Sequence, residues 1–167
     1  MVMSACSRVD FPEPVLPATR ACWAVPREDL AELRASAAIP LLKIDEPMAR
    51  EAIRAGNRIG VIVTFPPTQD VTHALLRNAA GDAGCEIEMI DQLVPDALHA
   101  LLRGDKATHD RLLTAAAEKL AGDGVEAIVL AQVSMGHLVP TLGKQTGLPI
   151  FSSLETSLAE VRRVLAM

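Results

Sequence analysis

Aromatic residues are nearly missing: the 167-residue chain has no Tyr, one Trp and three Phe. Positive charge is also short, with 16 Lys and Arg against 21 Asp and Glu for a net charge of −5. Nucleic-acid binding relies on basic surfaces and on stacking platforms, so both shortages argue against such a partner. No apolar run reaches the ~18 residues that a membrane span needs. No continuous apolar segment follows Met1 as a signal peptide would require. Cysteine is scarce: Cys6, Cys22 and Cys85 form an odd set without C-x-x-C spacing. That pattern excludes a disulfide framework and structural zinc, and it implies a reduced, cytoplasmic protein. His73, His99 and His109 lie on helical stretches at no metal-ligand spacing, so no metal is expected.

What is present is an aliphatic core. Half the residues are apolar, and they are mainly Ala, Leu, Val and Ile. This length suits one α/β domain, or one lobe with part of another. The most informative stretch is 58–72, RIGVIVTFPPTQDVT. Its β-branched run reads as a buried parallel strand. Thr64, two prolines and Thr68 then lead into a helix with Val71, Ala74, Leu75 and Ala79 on one face. A strand end, a hydroxyl-bearing turn and a helix start together form the kind of crevice where anions bind.

Further strands are expected at 40–44, 86–90, 127–131 and 149–151, with a strand end near 1–5. Helices are expected near 28–35, from Glu46-Pro47 to a C-terminal Gly56, from Pro95 to Gly104, after a capping Asp105, and from Met135 to about Gln145. A last helix, opened by a Ser152/Glu155 capping box, is expected to bury Leu154, Leu158, Val161 and Leu165. His109 beside Asp110 reads as a solvated first-turn pair. Segment 8–38 is proline-rich and reads as irregular. The alternation predicts an α/β fold with a parallel sheet and flanking helices. Ile39-Pro40-Leu41-Leu42 echoes Leu148-Pro149-Ile150-Phe151, and Glu46 echoes Glu155 at the same offset. This weak repeat predicts a near-complete lobe at 57–167 and a remnant of a second, pseudo-symmetric lobe at 1–56. The chain then reads as truncated at its N-terminus.

Four stretches carry a resemblance: IPLLKIDEPMAREAI, RIGVIVTFPPTQDVTHALL, AIVLAQVSMGHLVP and LPIFSSLETSLAEV. In order and spacing they resemble the aspartate/glutamate/hydantoin racemase superfamily. The resemblance implies two similar α/β lobes with a site between them, and chemistry without metal or pyridoxal cofactor. The amino-acid racemases of that superfamily use two cysteines on opposite faces of the substrate. One thiolate removes the Cα proton and the other thiol returns a proton. Fixed donors around the substrate carboxylate must stabilise the carbanion, and each acid or base must lie close to the proton it moves.

Carried onto this chain, the resemblance assigns Cys6 as the catalytic thiol and Ser7 as its following hydroxyl. It makes Thr64 and Thr68 carboxylate holders, and it places Ser134 near a substrate-binding position. Gln132 stands where the second cysteine is expected. An amide is not a practical acid or base near neutral pH, but it can donate hydrogen bonds to a carboxylate. His137, one turn further on, is a conceivable substitute base. The expected function is therefore an Asp/Glu racemase-like, cofactor-independent isomerase acting beside a carboxylate. Its ligand would be an amino acid or a small acid, and a homodimer is conceivable. The alternatives are a non-catalytic descendant that binds a small carboxylate, and a one-cysteine decarboxylase or lyase.

Overall fold

The computed structural model describes residues 27–166. Cys6, Ser7, Cys22 and the strand expected at 1–5 lie outside the described residues. The chain divides into two compact units, 1–36 and 37–167. In the first, α1 (Arg27–Ser36) is the described element, and its Ser36 hydroxyl donates to the Leu33 carbonyl at 3.1 Å.

The second unit is an α/β sandwich. Its order is α2 (Glu46–Ala55), β1 (Arg58–Val63), α3 (Pro67–Ala83), β2 (Glu88–Leu93), α4 (Pro95–Leu102), α5 (Lys106–Gly122), β3 (Ala127–Leu130), a short 3-10 helix (Val133–Leu138), α6 (Val139–Thr146), β4 (Ile150–Ser152) and α7 (Ser153–Leu165). The four strands are parallel in the order β2-β1-β3-β4. The α/β class and the parallel sheet expected from the alternation are thus present. Side chains alternate across β1 as the strand period of two demands. Ile59, Val61 and Val63 pack with Met48, Ala49, Ala52 and Ile53 of α2 and with Leu75 and Leu76 of α3. On the other face, Ile62, Ile128 and Ile150 pack with Leu113, Ala117 and Leu120 of α5 and Leu142 of α6. Glycine at residue 60 leaves room for that contact, because a Cβ there would lie 3.0 Å from a methyl of the fully buried Leu120.

Several expectations change. Residues 40–44 form no strand; Pro40 lacks a ladder donor, and Ile39 and Ile44 stay exposed. The second strand runs two residues later than expected, because Glu88 bonds to the Asn57 carbonyl and sets the register. The buried side of α3 is Thr72, Leu75, Leu76 and Ala80, while Ala74 is exposed. Gly56 is not a left-handed cap; it is extended, at φ 170°. Its lack of a side chain serves Glu126, whose Cβ would lie 2.4 Å from any Cβ at residue 56. The Glu126 carboxylate accepts the backbone N–H of Asn57 at 2.6 Å and of Arg58 at 2.9 Å, tying the entry of β1 to that of β3. Those bonds hold its carboxyl below the usual range. The helix expected from Met135 breaks into a 3-10 turn and α6, because Pro140 begins a new helix.

At α7 the apolar stripe is not buried. Leu154, Leu158, Val161 and Leu165 are all exposed, and Ser153 is the one buried residue of the helix. Polar contacts tie the helix to α2 and to the segment just before it instead. Glu160 pairs with Arg50 at 3.1 Å, and the Ser157 hydroxyl donates to the Ile44 carbonyl. The capping box does not form either: Ser152 makes no side-chain cap bond. Asp105 does cap α5, accepting the Thr108 N–H at 3.0 Å.

Candidate active site

In an open parallel sheet, ligands bind beyond the strand C-termini where successive connections leave in opposite directions. Here β1 connects outward to β2 on one side, while β3 lies on its other side. The switch point therefore lies between the ends of β1 and β3. The ladder there is complete up to the rim. Val94 donates to the Val63 carbonyl at 2.7 Å and Ala131 to the Ile62 carbonyl at 3.0 Å. The next residues on the two strands are Thr64 and Gln132.

They meet directly. The Oε1 atom of Gln132 accepts from the Thr64 backbone N–H at 3.1 Å and from its hydroxyl at 3.2 Å. The Nε2 atom donates to the Thr68 hydroxyl at 2.5 Å, and that hydroxyl donates onward to the Phe65 carbonyl at 2.7 Å. The amide orientation follows from donor counting. A backbone N–H needs an acceptor, and Thr68 has already spent its one proton. Thr64 is buried, while Thr68 and Gln132 are half-buried. Three of the expected site residues, Thr64, Thr68 and Gln132, are thus brought into one hydrogen-bonded group.

The donors of this turn differ from those of a usual helix-terminus anion site. Pro66 and Pro67 have no N–H. The N–H groups of Thr68 and Gln69 are used by the carbonyls of Phe65 and Pro66, each at 3.0 Å. The polar groups of this turn are the Thr64 N–H, two hydroxyls and the Gln132 amide, and they are engaged with one another and with the Phe65 carbonyl. Ser134 sits outside this group, exposed on the 3-10 helix; its carbonyl accepts from His137 Nδ1 at 3.0 Å. Cys85, the one described cysteine, follows α3 just before β2, at the N-terminal end of the strands and away from this rim.

Two features escaped the sequence reading. Asp45 directly precedes α2, and burial pushes its carboxyl up, against the lowering effect of Lys43 and with Glu46 adding to the rise. His109 is not a solvated surface residue; it is 1% exposed. Its partner His137 is 28 positions away and on another element, so no local spacing could have linked them.

The fold and the rim define an α/β domain with a hydrogen-bonded polar cluster, Thr64, Thr68 and Gln132, at the switch point of its sheet. A model of the Asp/Glu/hydantoin racemase family matches residues 28–161, and the chain belongs to that family. Among curated proteins, none matches the sequence. Solved structures share the fold. Glutamate racemase isoform RacE1 from Bacillus anthracis is 22% identical with a TM-score of 0.56, over 82% of this chain and 53% of that one. Allantoin racemase from Pseudomonas fluorescens is 19% identical with a TM-score of 0.57, over 81% and 56%. Allantoin racemase from Klebsiella pneumoniae is 22% identical with a TM-score of 0.58, over 76% and 51%. The chain therefore spans about half the length of these structures. Among the described residues, no helix is long and apolar enough to cross a membrane.

Proposed function

We propose that this chain supplies the carboxylate-binding wall of a cofactor-independent, racemase-like isomerase. It acts at the carbon next to the carboxylate of an amino acid or related small acid, in the cytoplasm. The observation that carries the reading is the position of Gln132 Oε1. It is an sp² oxygen held by a backbone N–H and a hydroxyl at the switch point. A substrate carboxylate oxygen needs those same donors. On binding, the substrate takes over the Thr64 N–H and hydroxyl, and the Gln132 amide and Thr68 turn toward its second oxygen. These donors then stabilise the negative charge that develops on the carboxylate as the Cα proton leaves.

Cys6, with Ser7 beside it, is the base in this reading. Its thiolate takes the Cα proton, the charge passes into the carboxylate, and water returns a proton to the opposite face of Cα. Ser134 serves the rim of the pocket. A second copy of the chain is the partner that could close over it. A second reading, non-catalytic carboxylate binding, is favoured by Gln132 itself. It stands where the resemblance expects an acid or base, and its amide transfers no proton. A one-cysteine decarboxylase or lyase would need the same wall and only one thiol.

Incubation in D2O with aspartate, glutamate and hydantoins, followed by NMR of the Cα position, tests the reading. Deuterium uptake that disappears in Cys6→Ala supports the isomerase. Binding without uptake, unchanged in Cys6→Ala, supports the non-catalytic reading. Loss of CO2 from a malonate-type acid, again dependent on Cys6, supports the lyase.

A further inference from the structure

We propose that His109, Asp110 and His137 form a binding site for one divalent transition-metal ion, of the Zn2+ or Co2+ class. His109 Nδ1 lies 2.7 Å from Asp110 Oδ1, and His137 Nε2 lies 3.0 Å from the same oxygen. The three atoms all lie within 4.8 Å of one another. With metal–ligand bonds of about 2.1 Å, neighbouring ligands sit roughly 3.0–3.4 Å apart. Two edges of the triangle are therefore close to ligand spacing already. The third closes by rotation of His137, which is half exposed. The imidazole rings are stacked at 6.0 Å with an interplanar angle of 18°, so both present an edge to the same carboxylate.

The orientation of His137 supplies the second argument. Its Nδ1 faces the Ser134 carbonyl at 3.0 Å. That turns Nε2 toward a carboxylate oxygen 3.0 Å away. A proton or a metal ion between those two atoms satisfies the contact, and the titration below separates the two. A backbone carbonyl fixing the far nitrogen is also the usual outer support of a metal-bound histidine. His109 is buried and fixed near the start of α5, whereas Asp110 and His137 reach solvent. One ligand is thus anchored and two are open to an arriving ion. Two imidazoles and a carboxylate suit borderline metals rather than Mg2+ or Ca2+. Three protein ligands leave a coordination position for water or a small acid. His137 follows β3, so the site belongs to the same rim as Gln132.

The test uses the whole chain without an affinity tag, titrated with Co2+ by visible absorption and with Zn2+ by calorimetry. The expected result is one ion per chain, bound at least ~10-fold more weakly in His137→Ala and in Asp110→Asn. Zn2+ should raise the melting temperature of the native protein and not of either variant. The cysteines are the same in all three proteins, so thiol binding cancels from the comparison. Lack of saturable binding to the native chain overturns the proposal, as does equal binding in His137→Ala. The cluster would then be a hydrogen-bonded tie between α5 and the 3-10 helix. Should Asp110→Asn disturb α5, the exposed His137 position decides alone, with circular dichroism confirming its fold.

Discussion

Gln132 closes the gap between β1 and β3 by placing its side-chain oxygen on both donors of Thr64, at 3.1 Å from the backbone nitrogen and 3.2 Å from the hydroxyl. One amide thus holds what a carboxylate would hold. Two consequences follow for Gln132→Ala. The buried Thr64 N–H loses its acceptor, which costs about 1–2 kcal/mol. The vacated donors also become free for an added anion, which stabilises by mass action. Urea unfolding of the variant, with and without millimolar malonate, aspartate or glutamate, checks both. The carboxylate should recover part of the lost stability. Identical midpoints in every condition would mean that this wall binds no carboxylate.

The glycines make a sharper test of the packing. Alanine at residue 60 would press on Leu120 and Val125, whose side chains lie at 3.0–3.3 Å from the new Cβ. Both are buried, so the cost should be about 1–3 kcal/mol. Gly56→Ala should cost more, because the Glu126 Cβ at 2.4 Å is fixed to its backbone and cannot swing aside. Gly81, inside α3, meets no atom within 4 Å. Gly81→Ala should therefore stabilise by about 0.5–1 kcal/mol through helix propensity alone. Urea midpoints should rise from Gly56→Ala through Gly60→Ala and the native protein to Gly81→Ala.

The β1 strand, the Thr64–Thr68 turn and the parallel sheet were legible because each rests on local signals. These are a β-branched run, a proline pair and an alternating pattern. That Gln132 meets Thr64 was legible because the end of one strand must face the end of its neighbour. Other features depended on tertiary partners. The stripe of α7 has helical period, yet period says only that one face is apolar, not that something covers it. Ser152 and Glu155 have the spacing of a capping box, yet the Ser152 hydroxyl lies toward Gly136 instead. The His109–Asp110–His137 group joins two elements that no spacing rule connects.

Acid sensitivity should trace in part to Glu126. Its folded carboxyl is held down by hydrogen bonds from the Arg58 and Asn57 backbone, with the Arg58 charge helping. A depressed folded pKa means that the native state binds its proton later than the unfolded chain does. The resulting stabilisation is fully present above the ordinary glutamate value of about 4.3 and fades as the pH falls through the lower folded value. Glu126→Gln removes the titration. The stability difference between the native protein and this variant should be constant from pH 7 to 5 and shrink below about pH 4. Thermal melts across that range measure it; a gap that stays constant into acid would mean that Glu126 has no such role.

Ser152 separates two meanings of a serine at a helix start. It ends β4 and precedes α7, the place where serine usually caps. Substituting a capping serine by alanine costs typically ~1 kcal/mol. Here the hydroxyl is 1% exposed and has no hydrogen-bond partner among the described residues, and a Cβ at residue 136 would lie 3.4 Å from it. A buried donor without a partner carries its desolvation penalty uncompensated. Ser152→Ala removes that penalty and leaves a space too small to count as a cavity. The variant should therefore be as stable as the native protein or more so, by up to about 1 kcal/mol. Ser152→Thr should lose stability, because its added methyl must fit into the buried space beside Gly136. Guanidinium unfolding of both variants decides the matter. A loss near 1 kcal/mol in Ser152→Ala would show the hydroxyl capping α7 in solution after all.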